Sequence, residues 1–459
     1  MDLTELLNAV DAAVWGPPMI ILLLGCHIYT TIRTKCIQRK LPLALKLSVT
    51  KDDDAEGDVS NFGAMATSLA STLGTGSIVG VATAVLSGGP GAVLWMWLTG
   101  ILGMATKYTE VFAAMKYRVK DWRGEMMGGA MHVWEQRYKR ADGTVPWWAK
   151  LAAIWFALLA CFTIFGIGSA VQTSAITSVV QANFGWDPAI VSAFVCGTAL
   201  LIILGGLQKV SSICEKLVPI MAVIYIVACL IVVIRYANTL PAVFHDIFEG
   251  AFTPSGVTGG VVGSMVLVIT WGVKRGVFSN EAGLGSAPIA HAATSETDCV
   301  KQGLYGIFEV FMDTILICTL SGLTILCAAK GAGLDLHIGT EGNTSLNAAA
   351  LGTVFSQKGG AIIIAVGLAL FAFSTVLGWS LYGTRCCEFL FGHKAIKPYQ
   401  IVFIIVIFVG ATMKLDLAWA IADTLNGLMA IPNLIALVAL SGVVVKETKR
   451  HFSELPSKK

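Results

Sequence analysis

From Thr270 to Pro288 the chain reads T-W-G-V-K-R-G-V-F-S-N-E-A-G-L-G-S-A-P. The stretch lies in an apolar run over 261–293, yet it carries Lys274, Arg275, Asn280 and Glu281, with Gly272, Gly276, Gly283 and Gly285 between them. Ionisable side chains at membrane depth are expensive, so they face the protein interior or a wet cavity. Glycines at this density interrupt a helix, and non-helical backbone survives at that depth only where it lines protein or water. The plainer reading is a cytoplasmic helix end whose cations merely flank the bilayer. A run of about 30 residues covers roughly 45 Å at helical rise, however, which is more than one slightly tilted crossing needs. The expectation is a broken helix that forms a site.

Composition places that stretch in a membrane. Of 459 residues, 55% are hydrophobic and 13% charged, with a mean hydropathy of +0.74. Such a chain is an all-α integral membrane protein, not a globular enzyme. The net charge of +3 carries no argument for nucleic acid, because the basic residues follow membrane topology. Eleven cysteines fall mostly in apolar spans without a C-x-x-C pair, so they read as buried hydrophobes in a reduced protein. Met1 to Asp11 is acidic and no basic region precedes the first apolar run, which reads as a retained span, not a cleaved signal.

Eleven hydrophobic segments follow: 14–32, 62–86, 92–117, 151–180, 188–206, 212–234, 257–292, 303–329, 360–391, 400–413 and 417–445. With the N-terminus outside, 25 lysines and arginines fall in inside loops and flanks against 4 outside. That asymmetry orients the chain N-terminus out and C-terminus in.

One broken span invites a search for its counterpart, since many secondary transporters are inverted repeats with paired discontinuous helices. Five spans earlier lies L-A-S-T-L-G-T-G-S-I-V-G over 69–80, where Gly74, Gly76 and Gly80 sit beside Ser71, Thr72, Thr75 and Ser77. No strand precedes it and no P-loop lysine follows, so a nucleotide loop is a poor reading. A small-residue packing face is the serious alternative. The implied organisation is an extra helix and connector over 1–60, a five-span repeat over 61–240, an inverted repeat over 241–445, and a tail over 446–459.

Here the chain resembles a known family. The runs T-S-L-A-S-T-L-G-T-G-S-I-V-G-V-A-T-A, G-G-P-G-A-V-L-W-M-W-L-T-G-I-L-G-M-A-T-K-Y, W-G-V-K-R-G-V-F-S-N-E-A-G-L-G-S-A-P-I-A, F-A-F-S-T-V-L-G-W-S and I-A-D-T-L-N-G-L-M-A-I-P-N resemble the alanine or glycine:cation symporter family over nearly the whole length. The resemblance implies a LeuT-like 5+5 inverted repeat with two discontinuous helices. It further implies Na⁺-coupled uptake of alanine or glycine across a bacterial or archaeal cell membrane, with no cofactor besides the coupling ion. No nucleic acid or obligatory protein partner is expected, only substrate and lipid. One departure stands out: family members often have Asn where Ser77 stands.

A zwitterion buried at the midplane must have both charges matched. Interrupted helices offer free N–H groups at one half-helix start and free C=O groups at another's end. The amides around Gly74, Thr75, Gly76 and Ser77 are the candidates for the carboxylate, and carbonyls near Thr270, Trp271 and Gly272 for the ammonium. Trp271 and Trp379 are candidate pocket walls, with packing as the alternative for both. Gln172 on the fourth span is a further candidate, its alternative being a helix–helix hydrogen bond.

A hard cation wants oxygen. By the resemblance, Ser374 and Thr375 on the ninth span would hold sodium with carbonyls near Ser71, Thr72 or Thr75, although such hydroxyls also bond their own helix. Lone buried charges are untenable. Lys107 and Glu110 are thus expected to pair locally, and Lys274 and Arg275 to pair with Glu281, Glu309 or Asp313 in an inner gate. The seven histidines lack metal spacing and carry no assigned chemistry. A passive channel and a membrane-embedded enzyme are readings from other classes, and neither explains two interrupted spans at matching positions; within the transporter class, a proton-coupled symporter of another small solute is the alternative.

Overall fold

The structure is a computed structural model that describes residues 3–50, 59–253, 265–336, 343–413 and 415–454. The start of the seventh segment (257–264), Lys51, His337, Lys414, Lys458 and Lys459 lie outside the described residues.

Helices make up nearly all of it, because a bilayer leaves backbone polar groups no partner except one another. Among the described residues, six helices are long and apolar enough to cross a membrane: Trp147–Phe184, Gly206–Arg235, Cys299–Ala332, Gln357–Phe391, His393–Gly410 and Leu417–Glu454. Two bent pairs raise the number to eight if each is one span. The first joins Glu5–Val14 to Pro17–Arg33 at 41°, so the acidic N-terminal segment is itself helical and leans on the first apolar run. The second joins Asn61–Thr72 to Gly76–Gly88 at 48°, the interruption expected in the second span. The third segment is the helix Gly91–Lys116, whose Lys107 and Glu110 are fully buried.

Connections that read as loops in hydropathy are short helices. Leu240–Phe252 is one of them, laying Phe248 and Phe244 on Trp97, and Phe252 edge-on to Trp95. A two-residue hairpin pairs Val119–Lys120 with Met126–Met127. Both of its acidic neighbours, Asp121 and Glu125, hold Arg385 near the end of the ninth span.

Candidate functional site

The first broken helix starts at Asn61, capped by the Ser60 hydroxyl accepting from the Gly63 amide. It runs to Thr72, and the chain turns through 73–75 before a π-helical stretch, Gly76–Gly80. A helix that stops in the protein interior leaves its last carbonyls without helical partners. Two hydroxyls of the ninth span meet them. Ser374 donates to Ala70 O at 3.1 Å, while Thr375 lies 3.2 Å from Ala70 O and 3.3 Å from Leu73 O. Both also reach Phe371 O on their own helix. The approach depends on Gly378, where any Cβ would stand 3.0 Å from the Ser71 nitrogen. The side chains of Ser71 and Thr72 instead turn to Ser68 O on their own helix, with Ser71 also bonded to Tyr382.

Gln172 closes the other side of this break. Its carboxamide oxygen accepts the Thr75 N–H at 3.3 Å, and its nitrogen donates to Ile167 O at 2.9 Å. The bond therefore runs between helices and lands on the interrupted backbone itself. Trp379, 1% exposed, packs its Cβ over Gly168 and its ring against Tyr382 at 5.4 Å.

The second interruption lies about ten residues beyond its expected place. Met265–Asn280 is one helix passing straight through Thr270, Trp271 and Gly272, so the carbonyls there are inside the helical ladder and unavailable to an ammonium. Gly272 and Gly276 serve contact with the third span, facing Ala92 and Trp95, and Thr99. The helix breaks at 281–287, with positive φ at Glu281 (56°), Gly283 (95°) and Gly285 (79°), and restarts as Pro288–Ala292. Pro at a helix start gives up an N–H that has no helical partner anyway. That signal was present in the sequence. Close-packing and chain-turning glycines, by contrast, look alike in one dimension.

The end of this helix already has a cation. Lys107 donates to Asn280 O at 3.0 Å and lies 3.7 Å from Glu309, not paired with Glu110. An ammonium at a helix C-terminus is favoured by the helix dipole. Glu110 instead accepts from the Gly285 amide at 3.1 Å and from Asn433 at 2.5 Å, bracing the turn. Glu281 accepts from Ser286 at 2.6 Å. Glu309 continues to His291 at 2.6 Å, and His291 to Gln302 at 2.7 Å, so one histidine belongs to a fully buried polar chain.

Lys274 and Arg275 do not reach Glu281, Glu309 or Asp313. They precede the second break, and Lys274 pairs with Asp11 at 2.5 Å and Asp423 at 2.8 Å. Arg275 pairs with Asp423 at 3.0 Å and stacks over Trp419 at 4.1 Å. Trp271 lies under both cations, at 5.5 Å and 5.3 Å, which places it in this cluster. The aromatic beside the first break is Phe278, 3.0 Å from where a Cβ on Gly76 would stand and tilted against Trp419 with ring centroids 4.6 Å apart. The cluster thus ties the N-terminal helix and the last span to the second broken helix.

Asp313 is elsewhere, in a π-helical stretch, Phe311–Cys318, of the eighth span. Its carboxylate accepts from Ser77 and Ser279, each at 2.7 Å, and from Thr314 at 2.8 Å. A third π-helical stretch, Ile164–Ala170, leads into Gln172. π-Helical turns often mark functional sites, because the extra residue leaves backbone groups without their usual partners.

At the opposite end from Lys274 the two broken spans are tied. Thr294 donates to Asn61 at 2.7 Å, the Ser295 amide bonds Val59 O at 3.0 Å, and Arg118 donates to the carbonyls of Ala292, Thr294 and Glu296. Burial raises the Glu296 carboxyl, but the bond from Lys301 and the Asp298 and Thr297 amides outweigh it and hold the group below the ordinary carboxylate range. Between these two ties, Thr75, Ser77, Gln172, Ser279, Asp313, Ser374 and Thr375 are each at most 1% exposed. Such a centre is sealed from both sides.

A model of the "Sodium:alanine symporter family" matches residues 1–459. The "Sodium/alanine symporter AgcS" of Methanococcus maripaludis is 46% identical, over 99% of this chain and 98% of that protein. The "Probable sodium/glutamine symporter GlnT" of Bacillus subtilis is 32% identical, over 98% of this chain and 91% of that protein. Among solved structures, MhsT in complex with L-phenylalanine superposes with a TM-score of 0.61 at 14% identity, covering 86% of this chain and 99% of that one. At that identity the likeness establishes the fold alone. The LeuT-like architecture expected from the sequence is the one found.

Proposed function

The chain belongs to the sodium:alanine symporter family, a family of multi-pass membrane transporters and not of enzymes; on that premise we propose that it carries alanine, glycine or both into the cell with sodium, by alternating access. The observation that carries the reading is the meeting of the Ser374 and Thr375 hydroxyls with the Ala70 and Leu73 carbonyls at the first break. Four neutral oxygens converging on a helix C-terminal end suit a hard monovalent cation, and none of them titrates near neutral pH.

The substrate carboxylate is taken by the amides of 74–77, where Gly74 and Gly76 let a ligand approach the backbone. The ammonium faces the last turn of the Met265–Asn280 helix. Phe278 walls the pocket on the side-chain side, as its place beside Gly76 supports. Lys274 and Arg275 with Asp11 and Asp423 form the gate on the side of the N-terminal helix, and the Asn61–Thr294 tie closes the other. Eleven spans, an N-terminus outside, two repeats over 61–240 and 241–445, and the cell membrane of a bacterium or archaeon complete this reading.

Proton coupling, another small solute such as glutamine, and a passive channel are the competing outcomes of one experiment. Proteoliposomes loaded with potassium and diluted into sodium should concentrate labelled alanine or glycine above the bath level. Accumulation driven by a proton gradient in choline, or uptake that stops at equilibration, would overturn the proposal.

A further inference from the structure

One face of the last span carries a buried amide that the site described above does not use. Trp419, Asp423, Asn426, Ala430 and Asn433 are spaced three or four residues apart on the helix Leu417–Glu454, so they share that face. Near its start Trp419 lies against Phe278, and Asp423 pairs with Arg275 at 3.0 Å. Further along, Asn433 donates to Gly283 O at 3.0 Å. Asn426 falls between them, about 4.5 Å along the axis from Asp423 and about 10 Å from Asn433 at helical rise. It is therefore level with the last turn of the Met265–Asn280 helix, where Phe278 stands beside Gly76. On the adjoining side, Ala422 meets the π-helical stretch that leads into Gln172: a Cβ on Gly166 would stand 2.9 Å from the Ala422 Cα.

The Asn426 side chain is 0% exposed, and neither its amide nitrogen nor its amide oxygen has a hydrogen-bond partner among the described residues. Asp423 and Asn433, on the same face, are both bonded. Buried polar groups are nearly always paired, so an exception with two unpaired atoms calls for a partner of its own. In the reading above, the carboxylate and ammonium of the substrate are matched by the interrupted backbone. What remains on the Phe278 side is the substrate's side chain. An amide presents N–H donors and an oxygen acceptor; a methyl group satisfies neither, whereas a hydroxyl donates and accepts and so serves whichever atom it faces.

From this geometry we infer that Asn426 reads the side chain of the substrate, and that the chain takes a small hydroxylated amino acid, serine, by hydrogen-bonding its hydroxyl. The inference rests on the small-amino-acid reading above and extends its substrate class. It makes Asn426 a specificity-determining residue contributed by the last span, alongside the two broken helices and the fourth span.

Isothermal titration of the purified full-length protein in sodium tests it, comparing serine with 2-aminobutyrate, which has the same size and a methyl group in place of the hydroxyl. The wild type should bind serine about tenfold or more tightly than 2-aminobutyrate, because the methyl leaves the buried amide unpaired. Asn426→Leu, similar in volume but without a polar atom, should bring that ratio close to one. A ratio within one variant is unaffected by a general loss of folded protein. Equal affinities in the wild type would overturn the inference, since the amide would then not face the side chain. A serine preference undiminished in Asn426→Leu would overturn it by giving the hydroxyl to another residue. If Asn426→Leu lowers glycine, alanine and serine binding by one common factor, the amide serves the zwitterion and the inference fails. A wild type that binds neither alanine nor glycine in sodium would instead refute the proposed function, and this inference with it.

Discussion

Thr375 and Asp423 show how differently single residues can be read from a sequence. Two consecutive hydroxyls in an apolar span are compatible with ordinary back-bonding to the same helix, and both Ser374 and Thr375 do make that bond. Only the opposed Ala70 and Leu73 carbonyls make them a cluster. Thr375→Ala should therefore weaken alanine binding in sodium while leaving the weak binding in choline unchanged, as isothermal titration in both salts will show. Asp423 was visible only as one acid among several, and Asp11 as part of an acidic beginning. Their partner choice could not be read, because 148 and 263 residues separate Arg275 and Lys274 from them. Asp423→Asn strips two buried cations of a shared carboxylate, and breaking such a pair costs about 3–5 kcal/mol. The variant should melt well below the wild type, and Asp423→Asn combined with Arg275→Met should recover part of the loss.

The two interruptions illustrate the element scale. The first was legible in place: three glycines among hydroxyl residues within twelve positions stop the helix at Thr72 and resume it at Gly76. The second was legible in kind but misplaced, since Gly272 and Gly276 serve close packing while Gly283 and Gly285 turn the chain. What makes the turn hold is tertiary, namely Glu110 accepting the Gly285 N–H and Asn433 donating to both Glu110 and Gly283 O. Gly285→Ala places a Cβ 2.8 Å from Asn433 and Phe156 and forces a left-handed residue that costs roughly 1–2 kcal/mol before any clash. It should lower the melting temperature and the transport rate. Gly143→Ala, equally left-handed but with open space around it, should cost only the backbone part. The difference between the two melts isolates the packing of the turn.

For the whole molecule, charge asymmetry is the quantity that would orient the chain; the structure groups Lys274 and Arg275 with the N-terminal helix at one end and Arg118 with the Asn61–Thr294 tie at the other, so an N-terminus outside puts the Lys274–Arg275 cluster at the outer end and not in the inner gate expected of it. A C-terminal green fluorescent fusion should fluoresce and a C-terminal alkaline phosphatase fusion should be inactive; the reverse pattern would place the C-terminus outside. The sealed centre also predicts that soluble maleimide fails to label a cysteine placed at Ser279 until an amino-acid or sodium gradient drives exchange.

Sequence by itself determined the solvent this protein folds in, the helical class that follows from that solvent, the family, and the presence of two weak points in the second and seventh hydrophobic segments, because hydropathy and glycine content act locally and survive being read in one dimension. Tertiary structure alone decided where the second helix breaks, which acid neutralises which base, and that Asp313 faces hydroxyls from three spans. Those outcomes depend on which side chains meet after the helices pack, and at low dielectric a buried charge is governed by its nearest partner in space, whatever its place in the chain.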